Sequence, residues 1–487
     1  MEDTLKNKNF FSKIVKRREN LTNYGDKQRE IIKKSKKIGP KVKKWLLKAN
    51  KYESSANVSY GLFEFPPVIV KGKADLVYDV DGNEYIDCVL GMAASTMGHC
   101  HPEIIKAVNK KSNELIHYFE FPTIPKTDLA EELCNNTPGD FDKKVWFSTT
   151  GSDATENAVK AARWFTGCQY VLSALGGYHG LTMGTMGITS KGGPLQYNYP
   201  LMNNNCYTYF PYAYCYRCAF DKEYPACDMF CVDYIEKNLL TGKETPLAEE
   251  LGGVSNLAGL IVEPMQCSSG YIIPPDDFLR GLKRLSDKYG FLLMVDEIQT
   301  GVGRTGKLWA TEHSGIAPDI LITGKGFCGG FPMSAIVTKK DILNNWAPGA
   351  HVSTFAGWAL GCVAGLKAFE IIRKDNLLKR SNEMGKFFYE GLLELQKKYS
   401  IIGDVTGGKG LFLAMELVKD KKTKEPAIEE TLFIREKARY DGFLFESGGY
   451  FYNRIQIIPP LTIKKSSIER ALKILDGAFA AAMKQYH

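Results

Sequence analysis

Long apolar runs are missing from these 487 residues; the best are short pieces such as FLLMV at 291–295. A membrane-crossing helix needs roughly 20 such residues, so no membrane association is expected. The first twenty residues, MEDTLKNKNFFSKIVKRREN, are charged throughout and lack the apolar core and cleavage site of a secretory leader. Cysteine is sparse, at 12 residues, which excludes a disulfide scaffold and points to reduced thiols in the cytoplasm. No internal repeat and no low-complexity segment is present. GVGRTG at 301–306 is glycine-rich but follows an acidic strand end, which is the wrong context for a dinucleotide-binding turn.

What is present is a globular composition, 44% hydrophobic and 24% charged, in a chain long enough for two or three lobes. Charge is uneven. Residues 1–51 hold 17 Lys and Arg against 5 Asp and Glu, an excess of 12 positive charges. The whole chain carries +8, so the remainder is at −4. Within this basic arm, apolar residues from Ile31 to Leu47 recur in two helix-like pieces interrupted at Gly39-Pro40. The first reading is a solvated helical arm packing an apolar stripe on the body, and the second is a site for a phosphate-bearing ligand. The arm has no nucleic-acid-binding motif.

After the arm, LVYDVDGNEYID at 76–87 alternates around Asp81-Gly82, a hairpin pattern. From about Pro102 to Phe369, helices alternate with short apolar strands: KKVWFSTT, YVLSAL, LAGLIVEP, FLLMVDEI, DILITGK and MSAIVTK. Nearly continuous apolar strands predict a mostly parallel sheet covered by helices on both faces. The expected organisation is the arm at 1–51, part of a small domain at 52–100, a large domain at 101–370 with a cysteine-rich insert near 206–231, and a smaller α+β domain at 371–487.

Ligands of open parallel sheets sit beyond the carboxyl ends of the strands, and the unusual residues fall there. STTGSDATENAVKAARW follows a strand, so its turn and helix start would face an anion with Thr150, Gly151 and Ser152. MVDEIQTG ends a strand on Asp296-Glu297, and ITGKG ends another on Lys325, which is flanked by glycines. CYRCAFDKEYPACDMFC places Cys215, Cys218, Cys227 and Cys231 as C-x2-C-x8-C-x3-C, either a zinc site or a loop packed by small apolar side chains. His99 and His101, at a helix start, read as structural.

In order and spacing, the phosphate turn, GGYHG, DEIQTGVGRTG and the lysine 29 positions after Asp296 resemble the class III aminotransferases, fold type I α/β enzymes dependent on pyridoxal 5′-phosphate (PLP). The likeness runs from about Tyr60 to Ile468. It implies that Lys325 joins PLP as a Schiff base and then moves the substrate proton. Asp296 would pair with the pyridine nitrogen, Tyr178 stack on the ring, and Gln299 contact the phenolic oxygen. Gly151, Ser152 and Thr150 would form the phosphate turn, and Glu263 would order the cofactor region. Thr354 would reach a neighbouring subunit's phosphate, implying a homodimer with shared sites.

Departures from that pattern bear on the substrate. Ser268 stands where many relatives carry a gating Glu, and Gln456 where they carry the Arg that the Glu shields. The usual carboxylate clamp is therefore absent or rebuilt, with Arg454 the nearest substitute on the same strand face. Three functions fit. The first is transfer of an amino group from an ω- or β-amino donor, such as a 4-aminobutyrate-like compound or a 3-aminoacyl-CoA thioester, to a 2-oxo acid. The second is an amino-acid racemase or epimerase, as inserts of this kind occur in racemising members. The third is a non-catalytic protein tethered by its arm to an anionic surface, against which the Lys325–Asp296–Gln299 set argues.

Overall fold

The computed structural model describes residues 24–486, apart from 55, 58–62, 193–205, 243–244, 246 and 248–255. The first 23 residues of the basic arm lie outside the described residues, as does Tyr60. Two compact units are distinguished: one runs up to Gly72 and includes Leu76–Ile86, and the other comprises Lys73–Asp75 and Asp87 onward.

In the first unit, helices Tyr24–Lys34 and Pro40–Tyr52 are separated at Gly39-Pro40, where proline suits a helix start. Asp81 accepts a hydrogen bond from Val42 N at 3.1 Å, and a side chain at Gly39 would collide with its carboxylate. Ile32, Val42 and Leu46 are buried with Phe65, while Lys33, Lys34, Lys36, Lys37, Lys41, Lys44, Lys48 and Lys51 are exposed. This is the amphipathic arrangement that the spacing predicts. The strands at Leu76–Asp79 and Glu84–Asp87 form the expected antiparallel hairpin.

The second unit is built on a seven-stranded sheet. Its order is Lys143–Ser148, Ser334–Lys339, Ile320–Thr323, Leu292–Asp296, Leu257–Val262, Tyr170–Ala174 and Tyr207–Phe210. Ser334–Lys339 runs antiparallel to both its neighbours, and the other pairs are parallel. All six apolar runs picked from the sequence are strands. Tyr207–Phe210 was not picked, because four residues leading into the cysteine insert carry no apolar run. Core layers lie on both faces: Phe278, Leu282, Leu285 and Leu293 belong to one, and Ala158, Ala162, Met294 and Ile336 to the other. Membership alternates along the central strand, as the two-residue period of a strand requires. Among the described residues no helix is long and apolar enough to cross a membrane.

A second, four-stranded antiparallel sheet follows in the same unit, ordered Ile402–Thr406, Leu413–Leu417, Arg454–Ile457 and Glu446–Gly448. Helices Leu377–Lys398, Ile428–Tyr440 and Lys465–Tyr486 accompany it. In the first of these, Gly385 lies so close to the Gly410 carbonyl that a Cβ would stand 1.9 Å from its oxygen. Alanine favours helices over glycine by up to about 1 kcal/mol, whereas forced overpacking costs roughly 1–3 kcal/mol. Gly385→Ala is therefore expected to lower the thermal midpoint, and calorimetry showing an increase would contradict this packing.

Candidate active site

The ends of five strands and the loops after them meet at one cavity of about 170 Å³. It is lined by Gly151, Ser152, Tyr178, His179, Gly180, Glu263, Cys267, Ser268, Asp296, Ile298, Gln299 and Lys325. Sequence separation reaches 174 positions, so only the sheet brings these residues together.

Lys325 follows the strand Ile320–Thr323 and takes a left-handed φ of +47°. For a residue with a side chain this conformation costs on the order of 1–3 kcal/mol. The flanking Gly326 has no room for a Cβ, which would stand 2.1 Å from Thr96 Oγ1. Tight backbone thus fixes where the lysine emerges. Its ammonium donates to Gln299 Oε1 at 2.6 Å, and Gln299 Nε2 donates to Tyr271 Oη at 3.0 Å. Tyr271 is fully buried against Phe412, so the chain Lys325–Gln299–Tyr271 is anchored in the core.

Asp296 ends the central strand and is 4% exposed. One carboxylate oxygen accepts from Ile298 N at 3.0 Å, and the other lies 2.8 Å from His179 Nδ1. His179 is buried, and its Nε2 has no hydrogen-bond partner. The adjacent Glu297 points into the protein, where Thr300, Ala310 and Thr311 donate to it, and burial raises its pKa above the usual carboxylate range. Two neighbouring acids therefore have separate duties, one lining the cavity and one holding a loop.

Glu263 clamps two loops. Its carboxylate accepts from Tyr178 N at 3.0 Å and from Cys267 N at 2.8 Å. Burial raises its pKa, with nearby His179 opposing the shift. Gly151–Thr166 is a helix capped by Thr150, whose hydroxyl accepts from Asp153 N at 3.2 Å. Thr150 is thus engaged as a cap and does not line the cavity, whereas Gly151 and Ser152 do. Gly180 has φ +124°, and a Cβ there would meet Ser152 Oγ at 2.3 Å. Glycine is what lets the Tyr178–His179 loop close over the helix start. Thr354 is exposed and outside the cavity.

The substrate candidates separate. Ser268 lines the cavity. Gln456 is buried; its Nε2 donates to Cys267 O at 2.9 Å and its Oε1 has no partner. Arg454 does not provide the substitute clamp expected from its strand position. Its guanidinium is 1% exposed and lies 2.6 Å from Glu416, with Tyr214 and Thr406 as further partners and Asp404 at 3.7 Å. Arg217 reaches the same Glu416 at 2.5 Å. Burial works against the Glu416 charge, but Arg454, Tyr214 and Arg217 outweigh it and hold the carboxyl below its ordinary range.

Tyr214 and Arg217 thus tie the cysteine insert to the second sheet. The cysteines themselves line one small cavity of about 20 Å³ with Phe220 and Phe230. All four are free thiols, and burial pushes Cys215 up to about 11 and Cys231 up to about 12. Metals bind thiolates, which this apolar setting disfavours. Among the described residues no three His, Cys, Asp or Glu side chains are grouped to hold a metal. The four side chains pack with Phe220 and Phe230, as the packed-loop reading expects.

Against this geometry, the aminotransferase class-III family model matches residues 59–479. The chain belongs to the class-III aminotransferase family. As a class-III aminotransferase it is a PLP-dependent enzyme of fold type I. It is 36% identical over 87% of its length to 96% of a 5-aminovalerate aminotransferase of Pseudomonas aeruginosa. It is 35% identical over 93% of its length to 96% of a leucine/methionine racemase of Thermococcus litoralis. Among solved structures, an amine transaminase from an uncultivated Pseudomonas species in its PLP-bound form superposes with a TM-score of 0.79 at 29% identity, covering 88% of this chain and 98% of that one.

Sequence reasoning missed Tyr271 as the support of Gln299 and the contact of His179 with Asp296. The Tyr-His pair in GGYHG was the available signal for the second; no local signal pointed to the first.

The Glu416 cluster generates a prediction. Glu416→Gln leaves Arg454 buried without its counter-charge and is expected to cost about 3–5 kcal/mol. Because the Glu416 pKa is depressed on folding, its contribution is present above the unfolded pKa and lost as pH falls through the folded one. Chemical denaturation of the variant should accordingly show a shallower loss of stability on acidification than the wild type.

Proposed function

We propose that this class-III aminotransferase moves an amino group from an ω- or β-amino compound to a 2-oxo acid such as 2-oxoglutarate. The observation that carries the reading is the convergence of Lys325, Asp296, Gln299, Tyr178, Gly151 and Ser152 on one cavity. PLP, when bound, supplies an aldehyde that couples to amines and a ring that accepts electrons. The cavity's donor set fits that group. The start of the Gly151–Thr166 helix offers amides to a phosphate, and the glycine-lined approach at Gly180 leaves the space open.

Each side chain then has a task. Asp296, steadied by His179, would hold a proton at the pyridine nitrogen. Lys325 would hold the cofactor and, once released, carry the proton taken from the donor carbon. Gln299 would orient Lys325 and face the phenolic oxygen, while Tyr178 covers the ring. Glu263 keeps the Tyr178 and Cys267 loops in place. The donor class is supported by the 5-aminovalerate relative and by a 4-aminobutyrate aminotransferase of Escherichia coli, 33% identical over 83% of this chain. A 3-aminoacyl-CoA donor rests on charge alone: the exposed lysines of the arm suit a phosphate-bearing molecule.

A homodimer completes the reading, with Thr354 facing the second subunit. Its surroundings support this. Ile116, Tyr118, Phe119, Phe121, Ile124, Val352 and Phe355 are large apolar side chains left exposed, and Phe355 packs at 4.8 Å on His117. The cytoplasm remains the expected location. A second reading, racemisation of an amino acid, is favoured by the similarity to the Thermococcus enzyme.

Lys325→Ala is expected to abolish the visible absorbance of the bound cofactor and all turnover. A screen of amino acids, ω-amines and a 3-aminoacyl thioester against 2-oxoglutarate should yield glutamate with ω- or β-amino donors. Inversion of one amino acid without an acceptor would establish the racemase instead. Deleting residues 1–51 should raise KM for a CoA donor several-fold in a salt-sensitive manner; an unchanged KM would remove the CoA option.

A further inference from the structure

Tyr178 lines the cavity just beyond the end of the strand Tyr170–Ala174. The residues between them form a turn, closed by Gly177 N donating to Ala174 O at 3.0 Å, with Gly176 at φ +78°. Such a turn keeps one shape only where its carbonyls have fixed partners. Gln266 Nε2 donates to Leu175 O at 2.7 Å, and Ser269 Oγ donates to Gly176 O at 2.6 Å. The amides of Ser190 and Lys191 donate to Gly177 O at 3.0 and 3.1 Å. Gln266 and Ser269 flank the cavity-lining Cys267 and Ser268, so that part of the grip comes from the wall of the site itself.

One donor comes from the second sheet. Tyr450 follows the strand Glu446–Gly448, and its Oη donates to Leu175 O at 2.5 Å. The phenol is so close to the turn that a Cβ on Gly176 would lie 2.1 Å from that oxygen. A second link runs beside the first: Lys191, whose amide holds Gly177 O, donates from Nζ to Gly449 O at 2.6 Å. Gly449 and Tyr450 therefore grip the turn at both ends. Their own position is set by the Glu416 cluster. Gly449 has φ +90°, and a Cβ there would stand 3.0 Å from Arg454 Cγ. The Tyr450 ring stacks on that of Tyr214, with centres 5.8 Å apart and planes 19° from parallel. Arg454 Nη1 donates to Tyr214 Oη at 2.8 Å, and both side chains donate to Glu416. Direct contacts thus run from the cysteine insert through Tyr214 and Tyr450 to the turn that carries Tyr178.

We propose that Tyr450 is a positioning residue for the cofactor site: it holds the Leu175–Gly177 turn so that Tyr178 is set over the PLP ring, and the cysteine insert acts on the site through it. This rests on the reading of Tyr178 as the cover of that ring, and adds the device that fixes it from outside. Tyr450 does not line the cavity, so its influence passes through the turn. Glu263 fixes the amide of Tyr178, whereas Tyr450 fixes the Leu175 carbonyl before it. Two fixed points define the direction in which the chain enters the site; with one of them gone, the Tyr178 ring can swing. A net hydrogen bond of this kind shifts an equilibrium by roughly two- to tenfold, which sets the size of effect to look for.

The test compares the PLP-loaded wild type with Tyr450→Phe, which keeps the ring on Tyr214 and removes only the hydroxyl. Hydrogen exchange of the amides across 175–179 is expected to quicken about two- to tenfold, with the strands of the large sheet unchanged. The Kd for PLP should rise by a similar factor, and the visible circular dichroism of the bound cofactor should weaken. Tyr214→Leu removes the stacking partner and should produce part of each effect; combined with Tyr450→Phe it should add little, because the two act along one route. Unchanged exchange across 175–179 in Tyr450→Phe overturns the proposal. Exchange that quickens uniformly through the large sheet marks a merely structural residue and overturns it equally, and full additivity of the two substitutions overturns the route from the insert. Should Tyr450→Phe fail to fold, Tyr214→Leu decides on the same three measurements, and no change in them overturns the proposal. Tyr178→Ala separates this inference from the reading beneath it. If that variant keeps the cofactor's circular dichroism and affinity while Tyr450→Phe still frees the turn, the Tyr178 reading fails and the hold of Tyr450 on the turn stands.

Discussion

The contact between Asp296 and His179 constrains more of this structure than any other single interaction. The carboxylate at the end of this central parallel strand is 4% exposed, and an unpartnered buried charge is costly. The imidazole that meets it at 2.8 Å comes from a loop 117 positions earlier in the chain, so that loop must fold back across the strand ends. Gly180 permits the fold-back, Glu263 pins the preceding residue by its amide, and Ser152 receives the Leu181 amide on the far side. Tyr178 is then fixed over the cavity as a by-product of satisfying one acid. Moving His179 would release all of these at once.

A second buried acid, Glu416, is satisfied by a different route with a different consequence. It gathers Arg454, Arg217 and Tyr214 from one strand and the cysteine insert. The cluster ties the insert to the second sheet through Tyr214 and Arg217. It also removes Arg454 from the cations that a substrate could address. One choice of internal partner therefore alters substrate chemistry at a distance, through subtraction of charge rather than change of shape.

Much of this was legible in the sequence where local pattern and chemistry agree. Continuous apolar strands marked six of seven strands of the large sheet, and the glycines around Lys325 marked backbone crowding that the contacts to Thr96 explain. Ser152, Asp296 and Lys325 could be gathered because strand ends of a parallel sheet share one edge, and the resemblance to class III aminotransferases added Gly151, Tyr178 and Gln299. What was not legible depends on partners far apart in the chain. Nothing local distinguishes an Arg454 held by Glu416 from one facing a ligand, since both read as an alternating strand residue. Thr150 read as part of the phosphate turn, and nothing local showed that its hydroxyl caps the helix by accepting from Asp153 N. Four cysteines at metal-like spacing gave no sign of the Phe220 and Phe230 that share their cavity, since that packing depends on the fold of the insert.

A polar group left unsatisfied argues about function by its cost. Gln456 donates to the carbonyl of cavity-lining Cys267 but keeps a buried carbonyl oxygen with no donor. A buried polar oxygen without a donor is costly in the free protein, and a polar ligand arriving there would satisfy it. That expense is reasonable where affinity for a small, charged, exchangeable molecule is required. It places substrate discrimination in residues the family motifs do not mark, and leaves the motif residues free for the chemistry that all such enzymes share.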